Sequence, residues 1–255
     1  MTSSTQEAPA RDSGSGVLAI EAVRLEKSFG NAAVLRGLDM TVRDGEVVAV
    51  FGANGVGKST LLRVLTTLTR LDHGTISVYG SDLSRRPEIA RLLLGAVLHS
   101  PMLYGDLTVK ENLSFFGKMF RVPRLADRVS ELADRMGLTP RLDQKVRELS
   151  HGYQKRAALA RTLLHRPRLL LLDEAETGLD ESARVILDGV ISEHRAAGRA
   201  VVMTTHSIER GIAGADRVLV LAGGRIALDR PSSQVTPNDV TGLYGDLSSP
   251  GSGDA

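Results

Sequence analysis

Cysteine is absent from this chain, which excludes disulfide staples, thiolate catalysis and cysteine-ligated metal, and fits a reducing compartment. Long hydrophobic runs are absent too. The longest candidates, LLLGAVL at 92–98 and LLLLD at 169–173, fall short of the roughly 18 residues that cross a bilayer and read as buried strand or core. No charge of one sign dominates: 32 basic residues face 30 acidic ones, a net charge of +2, so there is no field for nucleic acid. The first sixteen residues lack an apolar stretch and read as a disordered tail, not a secretory signal. The segment 231–255, rich in Ser, Pro, Gly and Asp, reads as a second, flexible tail in which Val240 to Leu247 can form one docked turn. That leaves a folded part over 17–230. With 42% hydrophobic and 24% charged residues, the composition is that of a globular domain.

What is present is an alternation of strand and helix patterns, hence an α/β fold. VLAIEAVRL reads as a strand, SFGNAAVLRGLDMTV as a turn and a second strand, and DGEVVAVFG as a turn feeding a buried strand. STLLRVLTTLTR then carries Leu61, Leu62, Leu65 and Leu68 at helical spacing. GTISVYG is a short β stretch and PEIARLLLG a helical candidate. Over about 101–148 the pattern turns helical, with VKENLSFFGKMF and RLADRVSELADRMG separated by Val122-Pro123. This predicts a helical insertion between two parts of a sheet. The helix YQKRAALARTLL, the buried strand LLLLD, the helix ESARVILDGVISEHRAAG and the strand AVVMTT follow, and VLVLAGGRIAL closes as a hairpin over Gly223-Gly224. No internal repeat occurs, so one domain is expected.

Five motifs stand in a fixed order: GANGVGKST from Gly52, HSP from His99, LSHGY from Leu149, LLLLDE ending at Glu174, and TTH ending at His206. Gly52, Gly55 and Gly57 remove Cβ atoms where a backbone must turn tightly against phosphate oxygens. Lys58 would reach the β- and γ-phosphates, Ser59 would ligate Mg²⁺, and Thr60 would donate to the α-phosphate. Strand, glycine turn and helix form the context such a loop needs. The apolar run ending at Asp173 delivers that carboxylate to the edge of the sheet, where it can hold Mg²⁺ through water while Glu174 orients or deprotonates the attacking water.

The order of these motifs resembles the nucleotide-binding subunits of ABC transporters, over about Ala19 to Leu228. The resemblance implies an ABC ATPase fold of the P-loop NTPase type: a RecA-like core, an antiparallel β subdomain and a helical insertion. It implies a Mg²⁺-dependent ATPase that binds ATP. It assigns Asn54, with the rest of the glycine loop, to the nucleotide, and Phe29 to the position of an aromatic stacked on adenine, though a core phenylalanine would also stand there. Ser150 and Gly152 match a signature that contacts the γ-phosphate on a second subunit; Ser150 equally suits a helix cap. Asp180 matches a loop at the dimer interface, and His206 a histidine that contacts γ-phosphate.

The implied partners are a second copy or a related subunit, giving a homo- or heterodimer, and separately encoded integral membrane permease subunits. Membrane contact would run only through them, placing the chain in the cytoplasm, peripheral on the inner face of the cell membrane. Departures from the family pattern are His151 and Tyr153 in the signature, Ala175 in place of proline, and His99 in place of a magnesium-facing glutamine. Histidine at that position is similar to the haem exporter subunit of cytochrome c maturation; general exporters of drugs, lipids or polysaccharides are the broader expectation. A soluble ABC-type ATPase serving as a scaffold for cofactor or cluster assembly is the alternative.

Overall fold

The computed structural model describes residues 16–245. Of the two expected tails, residues 1–15 and 246–255 lie outside the described residues.

The opening hairpin forms because two long runs of alternating burial meet at Gly30-Asn31. β1 (Leu18–Phe29) pairs antiparallel with β2 (Ala32–Arg43). β3 (Val47–Phe51) is buried at every residue, as a strand covered on both faces must be. The glycine turn follows, then α1 (Lys58–Leu65), β4 (His73–Val78), β5 (Ser81–Asp82) and α2 (Pro87–Leu93). The helical candidate at 87–95 stops two residues early: Leu94–Val97 becomes β6, paired in parallel with the strand that ends at Asp173. Only that pairing separates four apolar residues of a strand from another helical turn.

Between β6 and the next strand the chain runs through α3 (Val109–Met119), α4 (Leu125–Arg135) and α5 (His151–Leu163). A reciprocal capping box starts α3, with Thr108 accepting from the Glu111 amide and Glu111 from the Thr108 amide. There follow β7 (Leu169–Asp173), α6 (Glu181–Ala196), β8 (Ala200–Thr204), α7 (Ile208–Gly214), β9 (Arg217–Ala222), β10 (Arg225–Pro231) and α8 (Pro237–Gly245).

Two sheets result. One is antiparallel, in the order β2-β1-β4-β5; the other runs β10-β9-β3-β8-β7-β6, parallel except for the β10 edge. The large sheet divides its side chains strictly. Val47, Ala49, Phe51, Leu170 and Leu172 enter one core with the helices from α3 onward. Val48, Val50, Leu169 and Leu171 enter the other, shared with α1, α2 and the antiparallel sheet. The two sheets are also stitched at the β9–β10 turn, where the Arg36 amide donates to Gly224 O at 2.9 Å and Arg225 Nε donates to Arg36 O at 2.8 Å. Parallel order sends β3 and β7 in the same direction, so the glycine turn and Asp173 emerge on one edge. β8 stands between them and brings Thr204 to the same edge.

Beyond residue 230, part of the segment expected to be a flexible tail is helical. A turn at Ser232–Gln234 and α8 carry the chain to Gly245, with Val240 fully buried.

Candidate nucleotide site

The site is built on that edge. Gly52 follows β3 with φ 154°, and a Cβ there would stand 2.5 Å from Leu221 O. No other residue fits without moving β9. Gly55 and Gly57 take positive φ values of 76° and 116°, turning the backbone into the N-terminus of α1. Lys58, buried, folds back over the loop and donates from Nζ to Gly52 O at 2.7 Å and Ala53 O at 3.2 Å. Burial lowers its pKa from the ordinary lysine value, while the charges of Glu174 and Asp173 pull it the other way. Asn54 is exposed at the loop's tip and Thr60 half-buried on α1.

Ser59 Oγ donates to Asp173 Oδ1 at 3.2 Å, and Thr204 Oγ1 donates to the same oxygen at 2.8 Å. The buried Asp173 carboxylate is therefore oriented from two sides by hydroxyls. Glu174, next in the chain, has φ 50°, a left-handed conformation uncommon for side-chain-bearing residues but shared by seven others among the described residues, Arg24 and Arg166 included. Its peptide is gripped from both ends. The amide donates to Thr204 O at 3.2 Å and Oγ1 at 3.0 Å, and the carbonyl accepts from Lys155 Nζ at 3.2 Å. Lys155 also donates to Thr177 O at 2.5 Å; burial depresses its pKa against the raising effect of Glu176, Glu174 and Asp173. The Glu174 side chain meets His206, with Oε1 to Nε2 at 2.6 Å.

The remaining candidates lie around this centre. Phe29 ends β1 with its ring 53% exposed, and Lys27 Nζ stands 5.3 Å from the ring centroid; it is not a core residue. His99 is exposed in a bend two residues beyond β6, which is the strand next to β7. Ser150 stands at the N-cap position just before α5, but its hydroxyl makes no capping bond and the residue is exposed. Gly152 sits beside the Gly178 carbonyl, at 3.9 Å from where a Cβ would be. Asp180 caps α6 by accepting from the Ala183 amide at 2.7 Å, a bond that lowers its pKa. Its carboxylate also takes Arg156 Nη2 at 2.9 and 3.2 Å.

Three contributors escaped the sequence reading. Thr204 stands in the TTH motif without a role assigned there; Lys155 looked like one more cation on a basic helix. The third is Tyr244 of α8, whose hydroxyl accepts from the Gly52 amide at 3.1 Å. No short-range pattern marks any of these contacts.

The donor set suits a hard divalent cation. Ser59 Oγ and Asp173 Oδ1 are adjacent oxygens, and no cluster of three or more acidic or histidine side chains able to cage a metal occurs among the described residues. Mg²⁺ is held in this way, by one or two protein oxygens completed by water and phosphate.

A glycine turn between a buried strand and a helix, beside an aspartate at the end of a parallel strand, defines a phosphate-loop nucleotide hydrolase. Comparison with known proteins narrows the class. The sequence model of the ABC transporter family matches residues 35–177. The chain is 37% identical to the Nod factor export ATP-binding protein I of Rhizobium sp. (strain N33) over 210 residues, 82% of this chain and 69% of that protein. The protein of the same name from Burkholderia lata is 38% identical over 235 residues, 90% and 77% of the two chains. A solved ATP-binding subunit of an ABC transporter superposes with a TM-score of 0.80 at 27% identity, covering 89% of this chain and 95% of that one. The cbiO1 protein of Clostridium perfringens, part of the ABC transporter complex cbiONQ, gives a TM-score of 0.73 at 27% identity, over 88% and 92%.

The chain belongs to the ABC transporter family and is one of its ATP-binding subunits, an ATPase that uses ATP and Mg²⁺. No helix among the described residues is long and apolar enough to cross a membrane.

Proposed function

We propose that two copies of this chain, or this chain and a related subunit, close on two ATP molecules and so drive a separately encoded membrane permease that exports its cargo. The observation that carries this reading is the meeting of Ser59 and Asp173, 114 positions apart, at 3.2 Å, beside the Glu174–His206 contact. In this reading the amides of Gly55, Gly57, Lys58, Ser59 and Thr60 and the Lys58 ammonium hold the phosphates; Gly52 lets the loop pass β9, and Asn54 lines the mouth. Phe29 offers its exposed ring to the base. Ser59 and Asp173 would hold Mg²⁺, which supplies charge neutralisation to the phosphates. Glu174 accepts the proton of the attacking water, and His206 fixes the carboxylate and faces the γ-phosphate. His99 would be the imidazole on the metal side.

Exposed Ser150 and half-buried Gly152, at the start of α5, complete the neighbour's site, with Asp180 at the seam. A permease docks on the face carrying Tyr104 and Phe115, which are 52% and 44% exposed and in edge-to-face contact at 5.3 Å. Exposed aromatic side chains in contact with one another are the usual anchors of a protein interface. The chain would then lie on the inner face of the membrane through its partner alone. Export is supported by the relatives named for Nod factor export; those names give no support to haem or cytochrome c maturation, a reading that rests on His99 alone. They also favour transport over a soluble scaffold.

Hydrolysis of Mg-ATP by the isolated protein, with Glu174→Gln accumulating as an ATP-bound dimer on size-exclusion chromatography, is the expected result. Full turnover by Lys58→Ala would reject the assignment.

A further inference from the structure

The Gly52 peptide is held on both sides. Its carbonyl takes the Lys58 ammonium at 2.7 Å, and its amide donates to the Tyr244 hydroxyl at 3.1 Å, across 192 positions of sequence. The residue itself is buried and pressed against Leu221 O, where a Cβ would stand at 2.5 Å. Such an amide needs a partner, because a buried N–H without one loses its hydration and gains nothing back. Within this fold Tyr244 is that partner.

The helix that brings Tyr244 there is made for the purpose. Thr236 and Asp239 bond reciprocally at the start of α8: the Thr236 amide donates to Asp239 Oδ2 at 2.8 Å and the Asp239 amide to Thr236 Oγ1 at 3.3 Å. One turn on, Val240 is fully buried, and Leu243 and Tyr244 pack against the core below α7. The ring is fixed by packing, so the hydroxyl is delivered to one place. Burial also raises the phenol's pKa, which keeps it protonated, while the Gly52 amide works in the opposite direction.

We propose that Tyr244 is a positioning residue of the phosphate loop, by which the C-terminal helix sets the loop's first turn before nucleotide arrives. The inference rests on reading residues 52–60 as the ATP phosphate site. A loop ordered in advance binds without losing the freedom of a mobile one. Removing the hydroxyl transfers that cost to binding and leaves the reacting groups Glu174 and His206 where they are. The signature is therefore a split between affinity and turnover.

The test uses the full chain and Tyr244→Phe, which keeps the ring and deletes the hydroxyl. Binding of a non-hydrolysable ATP analogue with Mg²⁺ is titrated by calorimetry, and steady-state hydrolysis and thermal midpoint are measured alongside. The expected result is a Kd and KM raised about tenfold, with kcat within about twofold of the parent and a midpoint lowered by a few degrees, because the orphaned Gly52 amide also costs the folded chain. Tyr244→Ala, if it folds, should show at least the same rise. An unchanged Kd in Tyr244→Phe overturns the inference, whether kcat or midpoint moves or not. If the parent chain itself fails to bind the analogue, the reading of the loop falls, and the inference with it; that outcome is distinct because it precedes any substitution.

Discussion

Replacing Lys155 with methionine should separate folding from chemistry more sharply than any change at the reacting groups themselves. The ammonium is buried and donates to two backbone carbonyls, Glu174 O at 3.2 Å and Thr177 O at 2.5 Å. Hydrogen bonds from a charged donor are each worth about 1.5–3 kcal/mol, but the chain gives up much of that by taking a cation out of water, as the lowered pKa shows. Methionine keeps the length of the stem and removes the charge. The two effects nearly cancel, and the fold should lose no more than about 2 kcal/mol, or some 4–8 °C in midpoint for a chain of this size. Catalysis has no such compensation. Glu174 occupies a left-handed conformation at φ 50°, and its carbonyl loses the group that holds it there. A misplacement of about 1 Å at a reacting group costs on the order of a hundredfold in rate. We expect kcat for Mg-ATP to fall between about ten- and a hundredfold, with affinity for the nucleotide within about twofold. Lys155→Arg should recover part of the loss. The reasoning is refuted if the methionine variant hydrolyses ATP at the parental rate, or if its defect lies in affinity alone.

Two further outcomes follow from packing and burial. Gly211→Ala places a Cβ 2.5 Å from Phe51 Cζ and 2.6 Å from Thr205 Cγ2, so α7 must shift; a cost of about 2 kcal/mol is expected, read as a lower chemical-denaturation midpoint. His194, buried with Nε2 lacking a hydrogen-bond partner, has its pKa lowered by burial and then by Arg199 and Arg135. Because the unfolded chain takes up the proton first, the stabilisation is complete above about pH 6.5 and declines as pH falls below it. His194→Leu should flatten part of the midpoint loss between about pH 7.5 and 5.5. His165, shifted in the same direction by burial, keeps the rest.

What could be read in the sequence followed physical periodicity. β3 and the first four residues of β7 are apolar, followed by Gly52 and by Asp173-Glu174, so their burial and their chemistry were visible together. The helices of the insertion declared themselves by spacing. β6 did not, because Leu94–Val97 differs from the end of α2 only through its parallel neighbour β7. α8 was legible only as a docked turn expected over Val240 to Leu247; its Ser- and Pro-rich approach hid the start, where the Thr and Asp three apart were the available signal. Phe29 could be assigned to a position but not to a surface, since exposure depends on what the rest of the chain covers. Lys155, Thr204 and Tyr244 act on backbone atoms distant in sequence, and backbone atoms carry no residue signature.

The β9 strand has a consequence for the width of the nucleotide gap. The first turn of the phosphate loop rests against its Leu221 carbonyl, and the hairpin that continues it grips Arg36 of β2 through Gly224 and Arg225. Phe29 ends the strand paired with β2. The wall proposed for the base and the floor proposed for the phosphates thus ride on a common rail. A displacement of β9 would therefore reach both together.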